Sequence, residues 1–301
     1  MSEKSKALST TAFATLLLIA FMMGANHVSA RFAFNNGVDV VTAVSFRSVV
    51  TALVVGLILW QQKVSLRITA QHKKYLPIIG LLIAVQSVCL YSAVARLPVA
   101  LALLAFNTYP LSTTFWARVL YKHQPEKAVL WSMPLILVGL ALALDVMGAA
   151  SGLGAAEHWA QIGSGVAFAL AASATFGLAL VYTQHETGDL DGRLRTFSTM
   201  TLVGVLAVAV AFSQGGFHMP QAPAGWWGLG MLTFLYGTAF TIMFTVLPKL
   251  GVSGHSAIMN VEPVFALVLA WAVLGQHIAP IQILGAVLVV GAVMALGLRK
   301  A

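Results

Sequence analysis

The stretch GHSAIMNVEPVFALVLAWAVLG, residues 254–275, is long and apolar enough to cross a bilayer, yet it carries Asn260, Glu262 and Pro263 near its middle. A soluble helix would turn Glu262 to water, but this segment has no polar face on which to place it. A charge at the centre of a bilayer costs roughly 2.5–3.5 kcal/mol on insertion scales, so such residues face a bundle interior or a wet cavity. The fold must therefore supply that interior, and the rest of the chain shows how.

Apolar residues make up 59% of the 301 residues and charged residues 9%. A soluble domain carries about 25% charge, so the solvent for most of this chain is lipid. The net charge of +8 lies between apolar runs rather than on a basic face, which reads as membrane topology and not as nucleic-acid binding. The single cysteine, Cys89, excludes an intrachain disulfide. No CxxC or HxxxH spacing occurs, so no metal site is expected. GLGAAE (152–157) follows no strand and is no nucleotide cradle, and no Walker A motif is present. No cofactor is expected, and no Ser-His-Asp or paired-carboxylate arrangement points to an enzyme.

Ten runs have the length of a membrane-spanning helix: 11–33, 40–60, 75–95, 97–120, 128–147, 161–183, 196–213, 225–247, 252–274 and 279–298. They are numbered spans 1 to 10. Barrel strands are half that length and alternate; these runs do neither. With the N-terminus in the cytoplasm, the cytoplasmic positions collect Lys4, Lys6, Lys63, Arg67, Lys73, Lys74, Arg118, Lys122, Lys127, Arg193, Arg195, Lys249, Arg299 and Lys300. Arg31 and Arg96 fall outside, which is 14 against 2, and Arg47 is left inside span 2. Both termini are thus expected in the cytoplasm. Lys4, Lys6, an apolar run and VSA (28–30) imitate a cleaved signal peptide, but cleavage would destroy an internal repeat.

That repeat has an offset of 153. It carries Asn107 onto Asn260, Pro110 onto Pro263, Gly24 onto Gly177 and Arg96 onto Lys249. LILVGLALAL (135–144) resembles LVVGAVMAL (288–296), one residue out of step. The sequence divides into two five-helix halves, 1–148 and 160–301. A unit with an odd number of crossings is inserted upside down when duplicated, so the expected fold is an all-α membrane protein of ten transmembrane helices in two inverted repeats. In that architecture the substrate site lies near the midplane, at discontinuous helices. Pro110 and Pro263 each remove a backbone hydrogen bond and mark the expected kinks; Gly24 and Gly177 are the expected flexible points.

Glu262, Asn260, Asn107 and Gln86 fall at mid-depth, with Asn26, His27 and Arg47 in the outer half. Glu262 is a substrate contact or proton carrier, or else a protonated carboxyl bonded to a carbonyl freed by proline. Arg47 meets a substrate carboxylate in an outer vestibule, snorkels outward, or pairs with Asp39. Asn107 and Asn260 are ligands or interhelical glue, and His27 is a titrating group or a packing residue. Among the aromatic residues Tyr91 and Tyr109 are the candidates for lining a cavity; Trp116, Tyr236 and Trp271 read as anchors.

The segment VEPVFALVLAWAVLGQHIAPIQILGAVLVVGAVMAL (261–296) resembles the EamA family of the drug/metabolite transporter superfamily, and SFRS (45–48) is similar to its Arg early in span 2. The resemblance covers nearly the whole chain. It implies a cavity lined by spans 1, 3, 4, 6, 8 and 9, with spans 5 and 10 peripheral. It also implies transport of a small polar metabolite, an amino acid or related compound, commonly outward across a bacterial inner membrane. Importers, facilitators and exporters of toxic amines share the fold, and a non-transporting membrane enzyme or sensor is the alternative of another class. Where the family often has Leu-Gly-Glu after span 9, this chain has Leu274-Gly275-Gln276, and Met23-Gly24 stands for a common Trp-Gly. Glu262 is then the one acid deep in the membrane. Span 10 has Gly285, Gly291 and Gly297, which form no GxxxG face, and the oligomeric state stays open.

Overall fold

The computed structural model of the protein describes residues 10–124, 127–148, 152, 154–246 and 257–298. Lys4, Lys6, Lys249, Arg299 and Lys300 lie outside the described residues, as does the side chain of Lys127. Among the described residues there is no strand.

The first half contains α1 (Thr10–Phe34), α2 (Val40–Gln61), α3 (Ala70–Arg96), α4 (Val99–Phe106), α5 (Tyr109–Tyr121) and α6 (Lys127–Ala143). The second contains α7 (Ala155–Glu186), α8 (Gly192–Ser213), α9 (Pro223–Thr245), a 3-10 turn (Ala257–Val261), α10 (Glu262–Leu274) and α11 (Pro280–Leu298). Among the described residues five helices are long and apolar enough to cross a membrane by length and composition: α1, α2, α3, α7 and α8. Helices suit such sequences because each backbone group is satisfied within the segment.

Spans 4 and 9 are broken rather than kinked. Span 4 divides at Asn107 and Thr108 into α4 and α5, and span 9 divides at Val261 into the 3-10 turn and α10. Proline alone does not explain this, since α3 runs through Pro77 and α6 through Pro134. Pro110 and Pro263 instead occupy the first turn of the second segment. The N–H groups of a first turn have no helical partner, so a proline there removes nothing. Both second segments also end alike, in a left-handed residue: Lys122 at φ 57° and Gly275 at φ 63°. His123 N–H then donates to Ala117 O at 3.3 Å, and Gln276 N–H to Ala270 O at 3.2 Å. Every one of these pairs is separated by 153 positions.

The halves interlock. Helices α2 and α8 are repeat equivalents and pack antiparallel: Gly56 faces Phe197, and Gly204 faces Val49. Helices α6 and α11 are also equivalents. They approach through Gly139 and Gly285, where an added Cβ would lie 2.9 Å or less from the partner backbone. Gly285 is thus used inside the chain. Helix α1 packs against α9 and α10 of the other half, and α7 against α3, α4 and α5. Gly24 and Gly177 lie within unbroken α1 and α7, where their smallness is what counts. Gly24 approaches Glu262, Phe265 and Ala266, and Gly177 approaches Ser112 and Thr113, the counterparts of the last two. The exchange is reciprocal, as an inverted duplication requires.

Polar loops close the bundle at both ends. Asp39 caps α2 by accepting from Thr42 N–H at 2.8 Å, and Thr69 forms a capping box with His72 at the start of α3. Asp191 caps α8 through Arg193 N–H at 2.8 Å.

Candidate functional site

Glu262 is the first residue of α10. The free N–H groups and positive dipole end of a helix favour a carboxylate there, which is one reason an acid is tolerated at this position. The close approach at Gly24 brings the next turn of α1 alongside. His27, three residues on, points Nε2 at Glu262 Oε1 across 3.2 Å, with side chains 3% and 19% exposed. The acid is therefore paired across the two halves and keeps a partly open side. His27 Nδ1 is buried without a hydrogen-bond partner.

The neighbouring Asn26 is fully buried. Its Nδ2 donates to Leu232 O at 2.6 Å, and its Oδ1 accepts from Tyr91 OH at 3.0 Å. Asn26 thus pins α1 to α9 and α3, and Tyr91 meets the His27 ring edge-on at 5.7 Å. Asn260, in the 3-10 turn, accepts from Tyr109 OH at 3.0 Å. Tyr109 is the counterpart of Glu262 and Asn260 that of Asn107, so the two breaks touch each other through Tyr109 of one and Asn260 of the other. Asn107 is buried at the end of α4. Gln86 is buried beside Ser87, whose hydroxyl reaches its Oε1 at 3.4 Å, and among the described residues it does not join this group.

Arg47 is 3% exposed, so it occupies no open vestibule and does not snorkel. Asp39, one expected partner, pairs instead with His218 at 3.4 Å. The guanidinium lies over two rings, 4.4 Å from the centroid of Tyr91 and 4.1 Å from that of Tyr236. Burying an ion costs several kcal/mol after relaxation. Desolvated cation–π contacts return about 2 kcal/mol each, but they leave the Nε–H without an acceptor, at about 1–3 kcal/mol. Tyr236 reads as an anchor in sequence yet is buried here against the Arg47 guanidinium, a role no local pattern announces.

Each end of the bundle carries a histidine–carboxylate pair joining the halves. At the α2–α3 and α7–α8 connections, His72 Nε2 meets Asp189 Oδ1 at 2.9 Å. Gln71 donates to Glu186 at 2.8 Å, and Tyr121 donates to the same carboxylate. The His72 hydrogen bond holds the Asp189 carboxyl below the usual carboxylate range. A cavity of about 490 Å³ lies at this end, bordered by Arg67, His72, Asp189 and Arg193. At the opposite end His218 pairs with Asp39, and its N–H donates to Thr42 Oγ1 at 3.0 Å. Gln276, where the family often has Glu, accepts from Val99 N–H at 3.0 Å and so caps α4 from the other half. Among the described residues no cluster of three potential metal ligands occurs.

No curated protein matches the chain. Among 26 matching solved chains, one has a TM-score of 0.60 at 17% identity, covering 97% of this chain and 99% of that one. Identity that low speaks for the fold alone. The EamA-like transporter family matches twice, over residues 10–144 and again over 163–298, with starting points separated by the repeat offset. Two such matches, on a chain of long apolar helices interlocked by halves, make this a multi-pass membrane protein that belongs to the EamA-like transporter family of the drug/metabolite transporter superfamily.

Proposed function

We propose that this protein is a secondary transporter that carries a small polar metabolite, an amino acid or a related compound, outward across a bacterial inner membrane with both termini in the cytoplasm. The halves, 1–148 and 160–301, rock about the seam where the broken spans meet. Glu262 holds the substrate ammonium or a coupling proton, with His27 as its exchange partner when the site is empty. Asn260 and Asn107 orient the substrate from the two breaks, and Tyr109 holds Asn260 in place. The His72–Asp189 and His218–Asp39 pairs close the two ends and open in turn.

The observation that carries this reading is the Glu262–His27 pair, placed across the halves at a helix break and still 19% exposed on the acid. A structural ion pair has no need of an open side, and helix termini aimed at a solute pathway are the usual construction of transporter sites. The test is counterflow of labelled amino acids in proteoliposomes, with net flux followed with and without a pH gradient. Glu262→Gln should abolish accumulation driven by the gradient, and His27→Ala should shift its pH dependence. Gradient-driven uptake in the inward sense would make the protein an importer. Equal flux by wild type and both variants would remove the site assignment, and no flux of any compound would remove the transport reading.

A further inference from the structure

We infer that the face of α2 carrying Arg47, Ser48 and Thr51 is a carboxylate-binding subsite, so that the transported compound is anchored by a carboxylate here as well as by its cationic end at Glu262. The inference rests on the transport reading and names the substrate chemistry that the reading leaves open.

Three observations converge. Arg47 Nε, Ser48 Oγ and Thr51 Oγ1 are all buried and all without a hydrogen-bond partner. Positions 47, 48 and 51 fall on one side of a helix of 3.6 residues per turn, so three unused polar groups stand together. The charge of Arg47 has no protein counter-ion: the four ion pairs among the described residues are His27–Glu262, His72–Asp189, Arg193–Asp191 and His218–Asp39. Buried charges are as a rule paired, and a buried guanidinium without an acid beside it is suited to take its counter-charge from a ligand. Finally, the wall opposite Thr51 is a glycine. Helix α9 faces Thr51 with Gly237, where an added Cβ would meet Thr51 Oγ1 alone, at 3.5 Å.

The walls suit a carboxylate. Tyr91 and Tyr236 cover the guanidinium with their rings, and its Nε–H is left without an acceptor. A planar carboxylate takes a guanidinium edge in a bidentate way, and the two hydroxyls supply donors for its remaining lone pairs. Tyr91 also bonds Asn26 and abuts His27, so one side chain adjoins both the anion subsite and the histidine that pairs with the acid. A substrate with charges of both signs therefore meets both partners along one wall.

The test uses full-length protein in detergent and thermal shift against the protein amino acids. For each compound that raises Tm, its methyl ester and its decarboxylated amine are measured beside it. The acid should stabilise, and both derivatives should bind at least tenfold more weakly. Arg47→Gln should abolish that preference. The double variant Ser48→Ala/Thr51→Val should weaken the acid about tenfold. Gly237→Ala should do the same while still folding, since its methyl group meets no backbone. Without ligand, Arg47→Gln should melt at or above the wild-type Tm, because an unpaired buried charge has been removed. A lower Tm would make Arg47 a structural cation held by its rings and would overturn the inference. Esters or amines that bind as well as the acid, or no response to any carboxylate, would overturn it too. Flux of those amines or esters would nonetheless leave the transport reading standing, whereas absence of all flux would end both.

Discussion

Replacing Gly177 by alanine tests the interlocking of the halves most directly. The new Cβ would lie 2.7 Å from the Thr113 nitrogen and 2.8 Å from the Ser112 Cβ, and ordinary contact begins at 3.4 Å. Both neighbours belong to the first turns of α5, so the whole segment must retreat. That retreat strains the Ser173 hydroxyl contacts with Thr108 at 2.9 Å and Ser112 at 3.1 Å, and the bond from Trp116 Nε1 to Ala174 O at 3.0 Å. Overpacking costs about 1–3 kcal/mol, and each weakened hydrogen bond about 1 kcal/mol. Alanine in a helix interior returns about 0.8–1 kcal/mol relative to glycine. The net expectation is a loss of about 2–3 kcal/mol, or roughly 5–10 °C in Tm on the scale of 2–4 °C per kcal/mol. Gly24→Ala is the control. Its Cβ would meet Glu262 O at 3.0 Å and Ala266 N at 3.1 Å, a misfit of a few tenths of an ångström that the helix-propensity gain largely offsets. Gly24→Ala should therefore melt within about 3 °C of wild type, yet it displaces the backbone beneath the Glu262–His27 pair and should slow counterflow. Thermal unfolding in detergent beside a flux assay separates the two effects. A Gly177→Ala protein as stable as wild type, or a Gly24→Ala protein that is the weaker of the two, would refute the reciprocal packing.

Other expectations are smaller. Because His72 holds the Asp189 carboxyl low, its contribution is complete above the unfolded value of about 3.9 and is lost as pH falls through the lower folded value. The Tm difference between wild type and Asp189→Asn should accordingly shrink below about pH 4; a difference that grows in acid would contradict the pairing. Lys122 holds φ 57° where its counterpart is Gly275, and a non-glycine residue there costs about 1 kcal/mol. Lys122→Gly should raise Tm by a degree or more with flux unchanged, and a fall would refute the strain. Tyr91→Phe keeps the ring under Arg47 but strands the Asn26 carbonyl oxygen, so Tm should drop by the equivalent of about 1–3 kcal/mol; an unchanged melting curve would mean that this bond carries no weight.

The frame was legible in the sequence because it rests on rules of period and position. Span length gave the helices, and one offset joined Asn107 to Asn260 and Pro110 to Pro263. The manner of the break was harder. Proline predicts a kink, but whether a helix stops depends on what satisfies its freed ends, and Gln276 capping Val99 from the opposite half is invisible to local pattern. The site was legible in part for a related reason. Glu262 and Arg47 stood out because lipid penalises them. His27 acquired its meaning only when Gly24 let α1 approach α10, and Tyr236 only when α9 crossed α2. Ser48 and Thr51 look ordinary in a helix, where such hydroxyls commonly bond the preceding turn; their lack of any partner is a property of the packed bundle.

The symmetry also has a limit, and the limit carries information. Positions that set the shape are duplicated: Gly24 and Gly177, Asn107 and Asn260, Pro110 and Pro263, Lys122 and Gly275 in one backbone conformation. The charged positions inside the bundle are not. At the same offset His27 faces Leu180, Arg47 faces Met200, Tyr91 faces Phe244 and Glu262 faces Tyr109. A duplicated frame can rock between two related arrangements at little difference in free energy, because each arrangement exchanges the roles of like halves. A duplicated set of charges would give the substrate two equivalent places to sit and no preferred orientation. Keeping the acid in the second half and its histidine, with the arginine, in the first means that the polar seam exists only when the halves are assembled, which accords with the proposed binding of a solute in one orientation. The division between a symmetric scaffold and a one-sided polar seam is what the proposed carrier of one class of compound requires, and a purely structural duplication does not call for it.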